Sequence, residues 1–176
     1  MPLSDMRRRP TLLNSCAWAA TAAETRFRIE PPDFAARASR VIALDEQATL
    51  IVDGLAGPHW SGGHFLTYEA VVPANGSGGE PTDATLRATD GSPRLLSEEL
   101  DGADVAVMIA TGRARPEAAS VIGDACATRM IMSAGLVVPS AGEVGQVVTA
   151  LRPNAMVLVV LKSENEVPAI LTALRV

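Results

Sequence analysis

Aromatic residues are scarce in this sequence. Its 176 residues include six, Trp18, Phe27, Phe34, Trp60, Phe65 and Tyr68, and none follows Tyr68. From residue 69 onward a core must therefore be assembled from Ala, Val, Leu, Ile and Met. Lysine is scarcer still, because Lys162 is the only one and every other basic residue is Arg. Cysteine is limited to Cys16 and Cys126, which are too far apart for a CxxC motif. Free thiols in a reducing, cytoplasmic compartment are the expectation. No apolar run reaches the length of a membrane-spanning helix, so no membrane partner is expected. Net positive charge is also missing. The formal charge is -5, which argues against nonspecific nucleic-acid binding, and Arg7-Arg8-Arg9 is too short to reverse that.

That basic triplet precedes a weakly apolar stretch, 12–23, and resembles the start of a short export signal. Leu13-Asn14-Ser15-Cys16 resembles a lipoprotein cleavage site, but Asn14 and Ser15 interrupt the apolar region. The favoured reading for 1–30 is an amphipathic or frayed arm, with an Ala-rich helix over 11–26. A single α/β domain is expected over 31–176. Asp33 is placed to cap a short helix running to Arg40. The apolar, partly β-branched segments 41–44 and 49–52 flank Asp45-Glu46-Gln47 and predict a hairpin or two short strands. A strand is expected over 65–72. Glycines and prolines make 73–92 a flexible loop.

The pattern sharpens from residue 93. Ser92 and Pro93 read as the cap and first turn of a helix over 93–100. Continuous apolar runs at 105–110, 131–138 and 155–161 predict strands buried on both faces. Helices are expected over 116–129, 141–151 and 164–174. This βαβαβα alternation predicts a three-layer, Rossmann-like α/β fold with a parallel C-terminal core and an N-terminal α/β-hairpin extension.

Ligands in open parallel sheets bind beyond the carboxyl ends of the strands. Here those ends supply Thr111, Gly112, Arg113 and Arg115, then Ser140, then Lys162 and Ser163. Arginine forks, a lysine and helix N-termini suit a small anionic or phosphorylated ligand. The second candidate is His59-Trp60-Ser61-Gly62-Gly63-His64, which holds both histidines of the chain. His59 and His64 are candidate acid–base residues, and Trp60 a candidate stacking residue. Asp53 or Glu69 could join them around a metal, but the spacing matches no metal signature and no metal site is assigned. The adjacent pairs Asp45-Glu46 and Glu98-Glu99 read as solvated.

The segment from Leu95 to Ala110, with Ala119-Ser120-Val121-Ile122 and Gly135-Leu136-Val137-Val138-Pro139 after it, resembles FtsZ and related tubulin-like GTPases over roughly 94–170. The resemblance implies a related Rossmann-like half. The family's glycine-rich phosphate signature is replaced by Gly112-Arg113-Ala114-Arg115-Pro116-Glu117, and no early glycine-rich turn matches its first nucleotide loop. The expected function is thus a small-ligand or protein-binding module without robust NTPase activity, its cofactor undefined. An enzyme that sets the His59–His64 loop against the strand ends is the alternative. A homo-oligomeric assembly subunit is a third reading, in which the glycine-rich loop orders against a partner.

Overall fold

The computed structural model describes residues 36–72, 83–140 and 144–176. The predicted helix over 11–26, the start of the one expected over 33–40 and the first half of the loop expected over 73–92 lie outside the described residues. Among the described residues, seven strands form one sheet. In chain order the elements are β1 (Ser39–Ala43), α1 (Glu46–Leu55), β2 (Gly63–Val72), β3 (Asp83–Ala88), β4 (Pro93–Leu95), α2 (Leu96–Glu99), β5 (Val105–Ala110), α3 (Pro116–Thr128), β6 (Met132–Val137), α4 (Val144–Leu151), β7 (Val157–Val160) and α5 (Val167–Leu174). A 3-10 turn, Glu164–Glu166, leads into α5.

The strand order is β4-β3-β2-β1-β5-β6-β7. The five strands from β2 to β7 in that row are parallel, and β3 and β4 are antiparallel additions beyond β2. Alternation along the central strands feeds two cores. Ile42, Leu66, Leu86 and Met108 face α2, α3 and α4, whereas Val41, Val107 and Leu136 face α1 and α5. The fold is the expected three-layer, Rossmann-like α/β architecture. Short side chains allow the close approach: a Cβ on Gly123 of α3 would lie 2.6 Å from Cβ of Asn154.

Several local expectations fail for identifiable reasons. Segment 49–52 is helical, because Asp45 caps α1 through Ala48 N–H and the apolar positions Ala48, Val52 and Leu55 share a helical face. The short helix expected to run to Arg40 does not reach it, since Ser39 and Arg40 already belong to buried β1. Part of the expected flexible loop is β3, with Ala84 and Leu86 inward, paired to β2. The helix expected over 93–100 starts late: Gly91, at φ 85°, closes a turn whose Ser92 carbonyl accepts from Ala88 N–H, and Pro93 opens edge strand β4. Pro93 has no N–H to offer a ladder, and an edge position does not require one. The last strand is also an edge strand, with Val157 and Val160 exposed instead of buried. Pro168 falls in the first turn of α5, where its missing N–H costs nothing.

No helix among the described residues is long and apolar enough to cross a membrane. Cys126 is a free, buried thiol.

Candidate functional site

The chain leaves β1 on one side to form β2, β3 and β4, then crosses to the other side of β1 to form β5. The gap between the carboxyl ends of β1 and β5 is therefore the topological switch point, where open sheets place their ligands. One residue bridges it. Asp45 Oδ2 accepts from Thr111 N–H at 2.7 Å, and Oδ1 accepts from the Thr111 hydroxyl at 2.9 Å and from Ala48 N–H at 2.9 Å. Thr111 is buried. The sequence pair Asp45-Glu46, expected to be solvated, thus splits: Asp45 is a half-buried, hydrogen-bonded anion at a helix N-terminus and Glu46 is exposed.

Two hollows flank α1 at this edge and share Leu50, which is 71% exposed. The larger, about 500 Å³, is lined by Thr111, Val138, Pro139, Ser140 and Asn165 against Gln47, Ile51 and Leu55 of α1. Among the described residues its one charged lining residue is Glu164. The Ser140 hydroxyl accepts from Gly112 N–H at 3.0 Å, which fixes the rim. The smaller hollow, about 310 Å³, contains Tyr68, Glu69, Arg87 and Arg115. Arg115 lies 5.9 Å from the Tyr68 ring centroid and donates to the Glu69 carbonyl, and Arg87 pairs with the Glu69 carboxylate at 3.0 Å. Burial, reinforced by Glu117 and opposed by Arg115, raises the Tyr68 phenol above its ordinary range.

The residues expected at the strand ends are thereby divided. Thr111 and Ser140 line the larger hollow, with Gly112 behind its rim. Arg115 belongs to the smaller one. Arg113 and Lys162 are exposed and line neither hollow. The Lys162 backbone N–H donates to Glu166, and Ser163 precedes the 3-10 turn without a side-chain cap. The expected cluster of arginine and lysine around one anion is not assembled.

Trp60, His59 and His64 sit at the other edge. Trp60 Nε1–H donates to the Leu55 carbonyl at 2.9 Å, with His59 and Phe65 beside its ring. His64 is level with Arg40, and Arg40 with Ala106. From Ala106 to Thr111 the chain climbs about 16 Å, at about 3.3 Å per residue. The histidine loop and the strand ends therefore do not share a site. At this amino edge His64 Nδ1 lies 2.7 Å from Glu99 Oε2, and Arg40 Nε lies 3.1 Å from the same oxygen. Glu99, expected to be solvated, is buried against β1. Its position in the sequence gave no hint, because the partner that requires it comes from a strand far upstream. Among the described residues no group of three His, Cys, Asp or Glu side chains is placed to hold a metal.

Compared with known protein families, curated proteins and solved structures, the chain matches none.

Proposed function

We propose that this chain is a small-ligand-binding module that uses the carboxyl edge of its sheet and lacks robust NTPase activity. The Asp45–Thr111 bridge carries the reading. In a phosphate-binding α/β protein, the free N–H groups at the switch point and at the adjoining helix N-terminus receive the ligand's anion. Here the Asp45 carboxylate takes the N–H groups of both Thr111 and Ala48. A phosphate at that position would meet an anion in place of donors.

The ligand class follows from the lining. Among the described residues the larger hollow offers a serine hydroxyl, two side-chain amides, the Glu164 carboxylate and the apolar surfaces of Leu50, Ile51 and Pro139, with no arginine or lysine. That surface suits an uncharged polar molecule with an apolar face, such as a nucleoside or a sugar derivative, better than a triphosphate. This narrows the anionic class expected from the strand-end residues.

A thermal-shift screen tests the reading. Uncharged nucleosides and sugars should raise the melting temperature, inorganic phosphate and GTP should not, and Leu50→Glu should abolish the shift while leaving the fold intact. Magnesium-dependent hydrolysis of GTP would overturn the proposal.

A further inference from the structure

We propose that the cleft at the amino edge of the sheet is a second binding site, in which His64 and Arg94 hold a small oxyanion and Glu99 positions the His64 ring. Its lining shares no residue with the hollows beside α1, and it is independent of the function proposed for them.

The cleft measures about 360 Å³, and its wall includes His64, Thr89, Asp90, Arg94 and Glu99. The Glu99 and Arg40 side chains are only 10% and 9% exposed. Arg40 also donates to the Glu99 backbone carbonyl and to the Ser39 carbonyl. Taking a carboxylate and a guanidinium out of water is costly, and apolar residues of similar volume would pin α2 to the sheet at least as well. The buried pair does something apolar residues would not: it presents a fixed carboxylate oxygen to a histidine. Such a partner sets the tautomer and direction of an imidazole.

With Nδ1 turned to Glu99, Nε2 is on the opposite side of a ring that is 57% exposed. Arg94 Nε approaches the other Glu99 oxygen at 4.0 Å, and the Arg94 side chain is half exposed. Arg94 from β4 and, once the ring is protonated, His64 Nε2–H from β2 are thus the donors flanking the cleft. The charged groups facing His64 are Glu99 from α2, Arg40 from β1, Arg94 from β4 and Asp90 from the β3–β4 turn. Asp90 is engaged by the Ser92 N–H and hydroxyl. With His64 protonated, cations outnumber anions in this set; with it neutral, the two balance. Oxyanion binding should therefore strengthen as imidazole gains its proton.

The chain has two histidines, so ring NMR reads each separately and His59, whose ring lies tilted against Trp60, serves as the internal control. Sulfate is the main probe because its charge is constant across the range in which imidazole titrates. Acetate is the second arm and separates planar from tetrahedral oxyanions. The His64 ring signals should move saturably with at least one of them, and more when the ring is protonated than when it is neutral. His59 should not follow. Arg94→Gln should weaken binding several-fold. His64→Gln leaves the Arg40–Glu99 pair in place and should remove the pH dependence, which titration calorimetry reads. Equal movement of both rings, or no movement of His64 with either anion, would overturn the proposal.

Discussion

Asp45 and Thr111 are sixty-six positions apart in the chain, yet the Asp45 carboxylate accepts both the backbone N–H and the hydroxyl of Thr111. The same carboxylate caps α1. One side chain thus closes the switch point and starts a helix. Asp45→Ala should remove the cap and leave the buried Thr111 N–H without a partner. The expected loss is roughly 2–4 kcal/mol, from about 1 kcal/mol for the cap and about 1–3 kcal/mol for the unsatisfied donor. Thr111→Val keeps the backbone bond and should cost about 1 kcal/mol. Urea denaturation of the two variants checks the order.

The Arg40–Glu99 pair makes a different prediction. Removing one partner strands the other charge in a buried position. Glu99→Leu alone should destabilise by roughly 3–5 kcal/mol. The double variant Arg40→Met, Glu99→Leu should recover most of that loss, because no charge is then left buried. A double-mutant cycle by chemical denaturation gives the coupling. If the double variant is as unstable as the single one, the pair contributes more to the fold than two apolar side chains can.

These two relationships show where sequence reading works and where it stops. The runs at 105–110 and 131–138 are legible because a strand covered on both faces has no need of polar residues. That Thr111 and Ser140 lie at one edge is legible for a related reason: both follow parallel strands, and both line the larger hollow. Residues Thr49, Ile51 and Val52 point locally to a strand, and the cap from Asp45 together with packing against the sheet overrides them. Glu99 looks solvated next to Glu98 because its burial is decided by Arg40, a long-range partner that periodicity does not encode. Arg113 and Arg115 both follow β5 and Lys162 follows β7, yet of the three only Arg115 lines a hollow beside α1. Position along the chain identified the edge of the sheet and not the convergence of side chains upon it.

Gly123 and Gly135 both lack space for a Cβ, yet their substitutions should differ. At Gly123 the new methyl would meet Cβ, Cα and the backbone carbonyl of Asn154, within 2.6–2.9 Å. At Gly135 the nearest atom is the Leu158 Cδ1, at 2.9 Å, the far end of a flexible side chain. Gly123→Ala should cost about 1–3 kcal/mol from overpacking. That loss is partly offset by about 0.5–1 kcal/mol of helix propensity. Gly135→Ala should be milder, because Leu158 can change rotamer. Thermal melts of the two variants give the comparison.

Acid should loosen α2 through Asp83. Burial alone would raise this carboxyl, but hydrogen bonds from the Ser97 hydroxyl, the Ser97 N–H and the Ala84 N–H outweigh it, and Arg129 adds to them, so the net direction is down. A carboxyl lowered in the folded state contributes stability above its unfolded value. That contribution disappears as pH falls through the folded one. Asp83→Asn should therefore be less stable than the parent at neutral pH, with the difference shrinking in the acid range. Denaturation midpoints measured from neutral pH down to the carboxylate range test this. A difference that stays constant with pH would mean that Asp83 acts by shape alone.

Cys126 offers a probe of opening. It faces the core from α3, and burial pushes its thiol up to about 11, with Arg129 pulling slightly the other way. At neutral pH it is both protonated and shielded, so two separate conditions for attack on a disulfide reagent are unmet. In a Cys16→Ser variant, which leaves Cys126 as the only thiol, labelling should be slow in buffer. It should accelerate in urea in step with global unfolding. Labelling that outruns unfolding would show that α3 lifts from the sheet by itself. In that event the packing of α3 against β5 and β6, which supports the Thr111 rim, would be looser than the buried Ile122 and Ala119 imply.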